Sequence, residues 1–255
     1  MEASTQTDWA RWWQRFEDQQ AFHIPRREQR FELMLELVSE ITAGAPRMIL
    51  DLACGTGAIS ARVLKHFSSA RVVALDADPL LLGIGQNTLG DGDGRLTWIK
   101  ADLRGDGWSA RLEDVAPFDA VLSSTALHWL DAGDVVKVYR HLAALVRPGG
   151  LLLNAEHLLV GPPGTRLTAL TEPLRRRLDA GAASSGESWE AWWRAAEAEP
   201  GFSMLLAERA RVFEGHPHHE HIGAPFHEAA LQQAGFSEAA VVWRYLDDSI
   251  VAALR

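Results

Sequence analysis

The residues best suited to chemistry lie in Asp51-Leu52-Ala53-Cys54-Gly55-Thr56-Gly57, a glycine turn between an apolar run and a helical segment. Glycine lets a backbone approach a ligand closely, and the N-terminus of the following helix offers unpaired N–H groups. Nineteen residues after Gly57 stands Asp76, at the end of a second apolar run. An acid there can take both hydroxyls of an adenosine ribose. A tight turn followed by a surface aspartate is the plain alternative, but strand, turn, helix, strand and acid all fall in order. The usual dinucleotide fingerprint is broken, because Gly55-x-Gly57-x-x ends on Ser60, and the Gly-Lys-Ser/Thr ending of a P-loop is missing. Asp51 fits neither phosphate pattern and suits a ligand with a cationic amino-acid end.

The elements that must position these residues can be read from hydrophobic spacing. Apolar runs at 48–50, 72–75, 96–99, 118–122 and 151–154 read as strands, with helices at 59–67, 80–89 and 135–146. Arg147-Pro148-Gly149-Gly150 reads as a turn before the fifth strand. Near-continuous apolar strands separated by helices predict a buried, doubly wound parallel sheet. Two last strands, 239–243 and 249–254, are joined too closely for a parallel crossover and must pair antiparallel. The expected fold is α/β, with a seven-stranded, mostly parallel sheet ending in a hairpin. Helical spacing at 9–22, 26–41, 167–178, 189–198 and 202–212 falls outside this rhythm. The expected division is a helical cap segment over 1–46, a ligand-binding α/β core over 47–160, a helical insert or lid over 161–226, and the rest of the core over 227–255.

Composition narrows the function classes. The 255 residues carry a net charge of −9, with 47% hydrophobic and 23% charged residues, and a pI of about 5.6. A grip on nucleic-acid phosphate needs a basic face, which this balance disfavours. No apolar run approaches the roughly 18 residues of a membrane span, and the first residues lack the regions of a secretory signal. A single cysteine cannot form an internal disulfide. The expectation is a cytoplasmic monomer or homodimer with neither a nucleic-acid nor a membrane partner. Tryptophan is the outlier: six of the ten, Trp9, Trp12, Trp13, Trp189, Trp192 and Trp193, form two W-x-x-W-W clusters in the cap segments.

The set of motifs resembles the class I S-adenosylmethionine-dependent methyltransferases. D-L-A-C-G-T-G at 51–57 is similar to their first motif, L-D-A-D at 75–78 to their second, and K-A-D-L at 100–103 to their adenine-binding segment. F-D-A-V-L-S-S at 118–124 and V-R-P-G-G at 146–150 match the fourth strand and the turn before the fifth. The resemblance covers 47–157 and 227–255, and Ala53 stands where many members carry glycine. It implies S-adenosylmethionine as cofactor. Asp51, Ala53, Gly55 and Gly57 would line its methionine end, Asp76 would bind its ribose hydroxyls, Asp102 and Leu103 would hold its adenine, and Thr56 and Ala77 would also contact the cofactor. Ser123 and Ser124 would sit below the sulfonium.

The acceptor site of that family begins after the fourth strand, where T-A-L-H-W-L at 125–130 holds His128 and Trp129. His128 is a candidate general base, since imidazole exchanges a proton most readily near neutrality, and His157 in N-A-E-H is a second. Trp129 and, in the cap, Trp12 are candidate walls of a pocket for a small, partly apolar acceptor, with packing as the alternative role. G-H-P-H-H-E-H-I-G at 215–223 places four histidines in six positions, but the spacing fits no zinc pattern and no cysteine assists. No metal is expected there. His219 and His221 are instead candidates to reach the acceptor, or the segment is a solvated loop. Cys54 reads as a small motif residue, not a nucleophile. Two other readings stay open: an NAD(P)-dependent oxidoreductase, and a non-catalytic protein binding S-adenosylmethionine or metal on the same fold.

Overall fold

A computed structural model describes residues 7–24, 26–161, 164–179, 186–215 and 222–255. Two helices, α1 (Trp9–His23) and α2 (Arg27–Thr42), precede an alternation of strands and helices: β1 (Met48–Leu52), α3 (Ala58–His66), β2 (Arg71–Asp76), α4 (Pro79–Leu89), β3 (Leu96–Lys100), β4 (Phe118–Ser124), α5 (Ala132–Leu145) and β5 (Val146–His157). Three helices follow, α6 (Arg166–Asp179), α7 (Trp189–Glu197) and α8 (Ser203–Val212). The chain then returns through α9 (Ala224–Ala234) to the hairpin β6 (Glu238–Tyr245) and β7 (Asp248–Leu254). The strand order is β3-β2-β1-β4-β5-β7-β6, with β7 antiparallel to both β5 and β6. No helix among the described residues is long and apolar enough to cross a membrane.

Strand side chains alternate between two faces, and the core divides accordingly. Leu50, Leu52, Val121 and Leu152 pack with α5 and α9 on one face. Ile49, Ala120, Leu122 and Leu153 pack with α2 and α3 on the other. A third cluster lies off the sheet, where Trp12 and Phe16 of α1 meet Leu80 and Ile84 of α4 and Trp192 of α7. Trp12 and Trp192 stand edge to face with ring centres 5.6 Å apart, and Phe16 lies 5.1 Å from Trp192. The tryptophan clusters therefore join the N-terminal helices to the insert. The expected turn at 147–150 is instead part of β5: Gly149, at φ +70°, and Gly150 absorb an irregularity in the pairing with β4. A Cβ on Gly150 would meet the Asp119 carbonyl oxygen at 3.0 Å, so the close strand approach requires glycine there.

One polar cluster lies inside the core. The Tyr139 hydroxyl stands 2.8 Å from His227 Nδ1, and Asn154 Nδ2 donates to that hydroxyl at 3.5 Å. Burial pulls the His227 imidazole down from 6.5 to about 4, against an opposing pull from Glu156. The unfolded chain therefore takes up a proton near pH 6.5, the folded chain only near pH 4. Stability must fall as pH falls through that interval. His227→Gln should remove roughly 2 kcal/mol of this loss. Urea unfolding at pH 7 and pH 4.5 measures it, and an unchanged difference between the two pH values refutes the assignment.

Candidate functional site

The carboxyl ends of the parallel strands open into a cavity of about 1420 Å³, roofed by α1, α2, α6, α7 and α8. Ligand pockets commonly span about 300–1,000 Å³, so this space suits two small ligands together.

At the β1 end, Asp51 Oδ2 accepts from the Ser60 N–H at 2.9 Å and from its hydroxyl at 2.6 Å. The carboxylate thus holds the first turn of α3 against the strand, and the serine that breaks the dinucleotide fingerprint is its partner. Asp51 Oδ1 is buried, has no hydrogen-bond partner, and belongs to a residue lining the cavity. Burial raises this carboxyl to about 7 despite the bonds from Ser60. Ala53 adopts φ +54° and Gly55 φ +56°. A left-handed conformation costs alanine about 1–2 kcal/mol, which is the physical content of the glycine found there in related motifs. Gly57, at φ +81°, does not line the cavity: its Cβ would stand 2.6 Å from the Trp98 ring, so its role is turn and packing rather than ligand contact. Cys54 is buried, and its thiol is pushed up by burial and by Asp51 and Asp76, which leaves it unreactive.

At the β2 end, Asp76 Oδ2 accepts from the Gly55 N–H at 2.7 Å and Oδ1 from the Asp78 N–H at 2.8 Å. Burial raises it to about 6. Asp102 accepts from Arg104 Nε at 2.8 Å. Thr56, Ala77 and Leu103 line the same half of the cavity. Helices α1 and α8 reach onto this half. Trp13 Nε1 donates to the Thr56 carbonyl oxygen at 3.1 Å, and Arg209 Nε donates to Asp78 Oδ2 at 2.6 Å with its guanidinium 3.9 Å from the Trp193 ring centre.

At the β4 and β5 ends the lining changes to Ser124, Thr125, His128, Trp129, His157 and Arg175. His128 Nδ1 stands 3.0 Å from Glu156 Oε2. Burial opposes the imidazolium, but the Glu156 charge outweighs it and raises His128. Burial likewise opposes the Glu156 carboxylate, yet His128, His157 and Arg30 hold it at about 2. Glu156 also accepts from the N–H groups of Ala126 at 3.0 Å and His157 at 3.0 Å, so one carboxylate organises both histidine-bearing segments. His157 is pulled down to about 4 by burial, then by Arg175 and Arg30. The fully buried Arg30 donates through Nη2 to Ser124 Oγ at 3.1 Å, Thr125 Oγ1 at 3.2 Å and the Ala155 carbonyl oxygen at 2.5 Å.

Among the residues expected from sequence, Asp51, Ala53, Gly55, Thr56, Asp76, Ala77, Asp102, Leu103, Ser124, His128, Trp129 and His157 converge on this one cavity. Ser123 does not: alternation along β4 turns it away from the cavity, where its hydroxyl is buried without a hydrogen-bond partner. Trp12 also does not. It packs on Trp192 and Phe202, with Nε1 donating to Glu199 Oε2 at 3.3 Å, while Trp189 and Trp193 line the cavity in its place. Only helix-face geometry separates these tryptophans, since Trp189 and Trp193 are four residues apart on one face of α7. His219 and His221 lie outside the described residues, as does the rest of the histidine cluster at 216–221. Glu156, Arg30 and Arg175 were not anticipated. The signal for Glu156 was a carboxylate near the end of a strand, after the apolar run 151–153, and for Arg30 a cation inside the apolar stripe of α2.

Comparison with known proteins places this geometry in context. A methyltransferase-domain family model matches residues 49–150. A trans-aconitate 2-methyltransferase of Azoarcus sp. strain BH72 is 28% identical over 202 residues, covering 78% of this chain and 70% of that protein. A malonyl-[acyl-carrier protein] O-methyltransferase of Ilyobacter polytropus is 28% identical over 102 residues, 40% of this chain and 35% of that protein. The solved structure of an O-methyltransferase family protein from Burkholderia thailandensis superposes with a TM-score of 0.56 at 21% identity, covering 88% of this chain and 55% of the other. On average the match thus spans about half the length of these relatives.

Glu156→Gln removes the charge that raises His128, leaving the opposing effect of burial. Histidine-resolved NMR titration should then show the His128 pKa drop below its ordinary value near 6.5. An unmoved titration would mean that another group sets it.

Proposed function

We propose that this chain, which belongs to the class I S-adenosylmethionine-dependent methyltransferases by its domain at 49–150 and its sheet order, moves a methyl group from S-adenosylmethionine to a small-molecule acceptor. The observation that carries the reading is the buried, unpartnered Asp51 Oδ1 beside the glycine turn, with Asp76 one strand away on the same cavity. An amino-acid ammonium group supplies the partner that this oxygen lacks. Asp76 would take the ribose hydroxyls, and Asp102 and Leu103 the adenine end. Bound there, S-adenosylmethionine supplies an electrophilic methyl group.

The other half of the cavity receives the acceptor. Displacement at a sulfonium methyl depends mainly on alignment and on excluding water. Both tasks fall to the cap, whose Trp189 and Trp193 cover the space. His128 takes the proton from an acceptor that has one to lose. Its Nδ1 faces Glu156, which leaves Nε2 as the basic nitrogen and stabilises the resulting imidazolium. The methyltransferase-domain match at 49–150 favours this reading over the oxidoreductase one.

Calorimetry with S-adenosylhomocysteine and with NAD tests the reading. The expected result is binding of the former alone, weakened about tenfold or more in Asp76→Ala, whose paired charge-assisted hydrogen bonds are gone. Binding of NAD alone, or unchanged affinity in Asp76→Ala, contradicts it. The Asp51 carboxyl titrates near 7 in the free protein and is favoured as carboxylate by a ligand ammonium. Binding should therefore release a proton and strengthen as pH rises through about 7, and Asp51→Asn should flatten this dependence. A slope that survives the substitution assigns the proton to another group.

A further inference from the structure

The charged lining differs between the two ends of the cavity. At the β1–β3 end Asp78 and Asp102 are paired with Arg209 and Arg104, which line it too, whereas Asp51 and Asp76 accept only from N–H and hydroxyl groups. The β4–β5 half is faced by His128, His157 and Arg175, whereas the acids that accompany them, Glu156, Asp247 and Asp248, are buried off the cavity surface. Each acid has a cation to hold. Glu156 faces His128 at 3.0 Å, Asp247 Oδ1 accepts from Arg175 Nε at 2.7 Å, and Asp248 pairs with Arg30 at 3.1 Å. In this half the negative charge supports from behind and the donors look inward.

Arg175 is the decisive member. It comes from the cap helix α6, yet its side chain crosses to the turn between β6 and β7, where Asp247 fixes it. It is 9% exposed. Burying a guanidinium against a single carboxylate recovers little of its hydration, and a chain gains nothing in stability from aiming it into a cavity. The cost is explained if a second anion completes its coordination. Next to it, His157 Nε2 is buried with no hydrogen-bond partner, a further donor or acceptor left open by the protein itself.

We infer that the acceptor is a small carboxylic acid whose carboxylate is anchored by Arg175, with His157 beside it, at the end of the cavity opposite Asp51. A guanidinium held at Nε still presents its two terminal nitrogens, and the planar two-oxygen shape of a carboxylate matches donors in a fixed fork. The charges at the two ends orient both ligands: the cationic end of one is drawn to Asp51, the anionic end of the other to Arg175. This inference rests on the proposed methyl transfer for the identity of the first ligand.

The test uses the full chain saturated with S-adenosylhomocysteine, so that failure of the cofactor reading appears first, as failure of that ligand to bind. Succinate, trans-aconitate, benzoate and octanoate are then titrated, each beside its full methyl ester, with inorganic phosphate as a further probe. At least one acid is expected to bind about tenfold or more tightly than its ester, the value of one charge-assisted hydrogen bond. Arg175→Gln should abolish that preference and Arg175→Lys should retain part of it, with S-adenosylhomocysteine affinity unchanged within about twofold in both. The unchanged cofactor affinity separates loss of an anchor from loss of the fold. Acids and esters that bind alike, or a preference that persists in Arg175→Gln, overturns the inference. Phosphate bound more tightly than every acid, with the same dependence on Arg175, overturns the carboxylate assignment.

Discussion

A guanidinium with no access to solvent governs the acceptor half of this molecule. Arg30 leaves α2, passes between the ends of β4 and β5, and is met by Asp248 at the start of β7. Four elements, α2, β4, β5 and β7, are thereby held at one point. Removing one partner of such a pair leaves a buried charge uncompensated, which costs about 3–5 kcal/mol, far more than the pair itself contributes. The arrangement is thus weak as a source of stability and strong as a constraint on geometry. Thr125, a β-branched residue at φ +54°, shows what the constraint does. Its strained backbone is retained because its hydroxyl is fixed by Arg30 and its N–H by the Ala155 carbonyl oxygen at 2.8 Å. The chain then turns sharply enough to bring His128 back over β5 to Glu156.

The two halves of the cavity are built by different means. At β1 and β2 the ligand-facing groups come from contiguous strand, turn and helix, and the polar contacts are made largely by backbone N–H groups and by Ser60. At β4 and β5 they come from α6, two strand ends and the segment after β4, held from behind by Arg30 of α2 and by the hairpin turn, with contacts between side chains distant in sequence. A local construction suits a cofactor shared by many proteins. A construction from separated side chains can change one element at a time, as specificity requires.

The same difference decides what could be read in advance. The parallel strands, their crossover helices and the closing hairpin were legible because each is a local pattern, a short apolar run or a helical period of 3.6. Asp51, Gly55, Asp76 and Asp102 were legible because their positions relative to strand ends are set by a few residues of chain. Ser123 and Gly57 show the limit of this reasoning. A motif position adjacent to a site is not a contact, and which face of β4 or of the α3 turn looks into the cavity depends on the sheet. Arg175 stands in a run of three arginines at 175–177, and nothing in that run marks it as turned inward. Its direction follows from Asp247, seventy-two positions away in the chain.

The cap follows from the same physics. A methyl transfer site must be dry, but both ligands proposed here are charged and must enter from water. Covering them with a flexible loop would leave the carboxylates at β1–β3 partly solvated and weaken the field that separates the two ligands. Helices joined by aromatic rings answer this more firmly. The Trp12, Phe16 and Trp192 contacts make α1 and α7 one body, and Arg209 on Asp78 and Trp13 on the Thr56 carbonyl oxygen fasten that body to the cofactor half. On the acceptor half, α6 is fastened through Arg175, the residue assigned to hold the acceptor. The helix that covers the acceptor is therefore tied to the sheet by the same side chain that senses it.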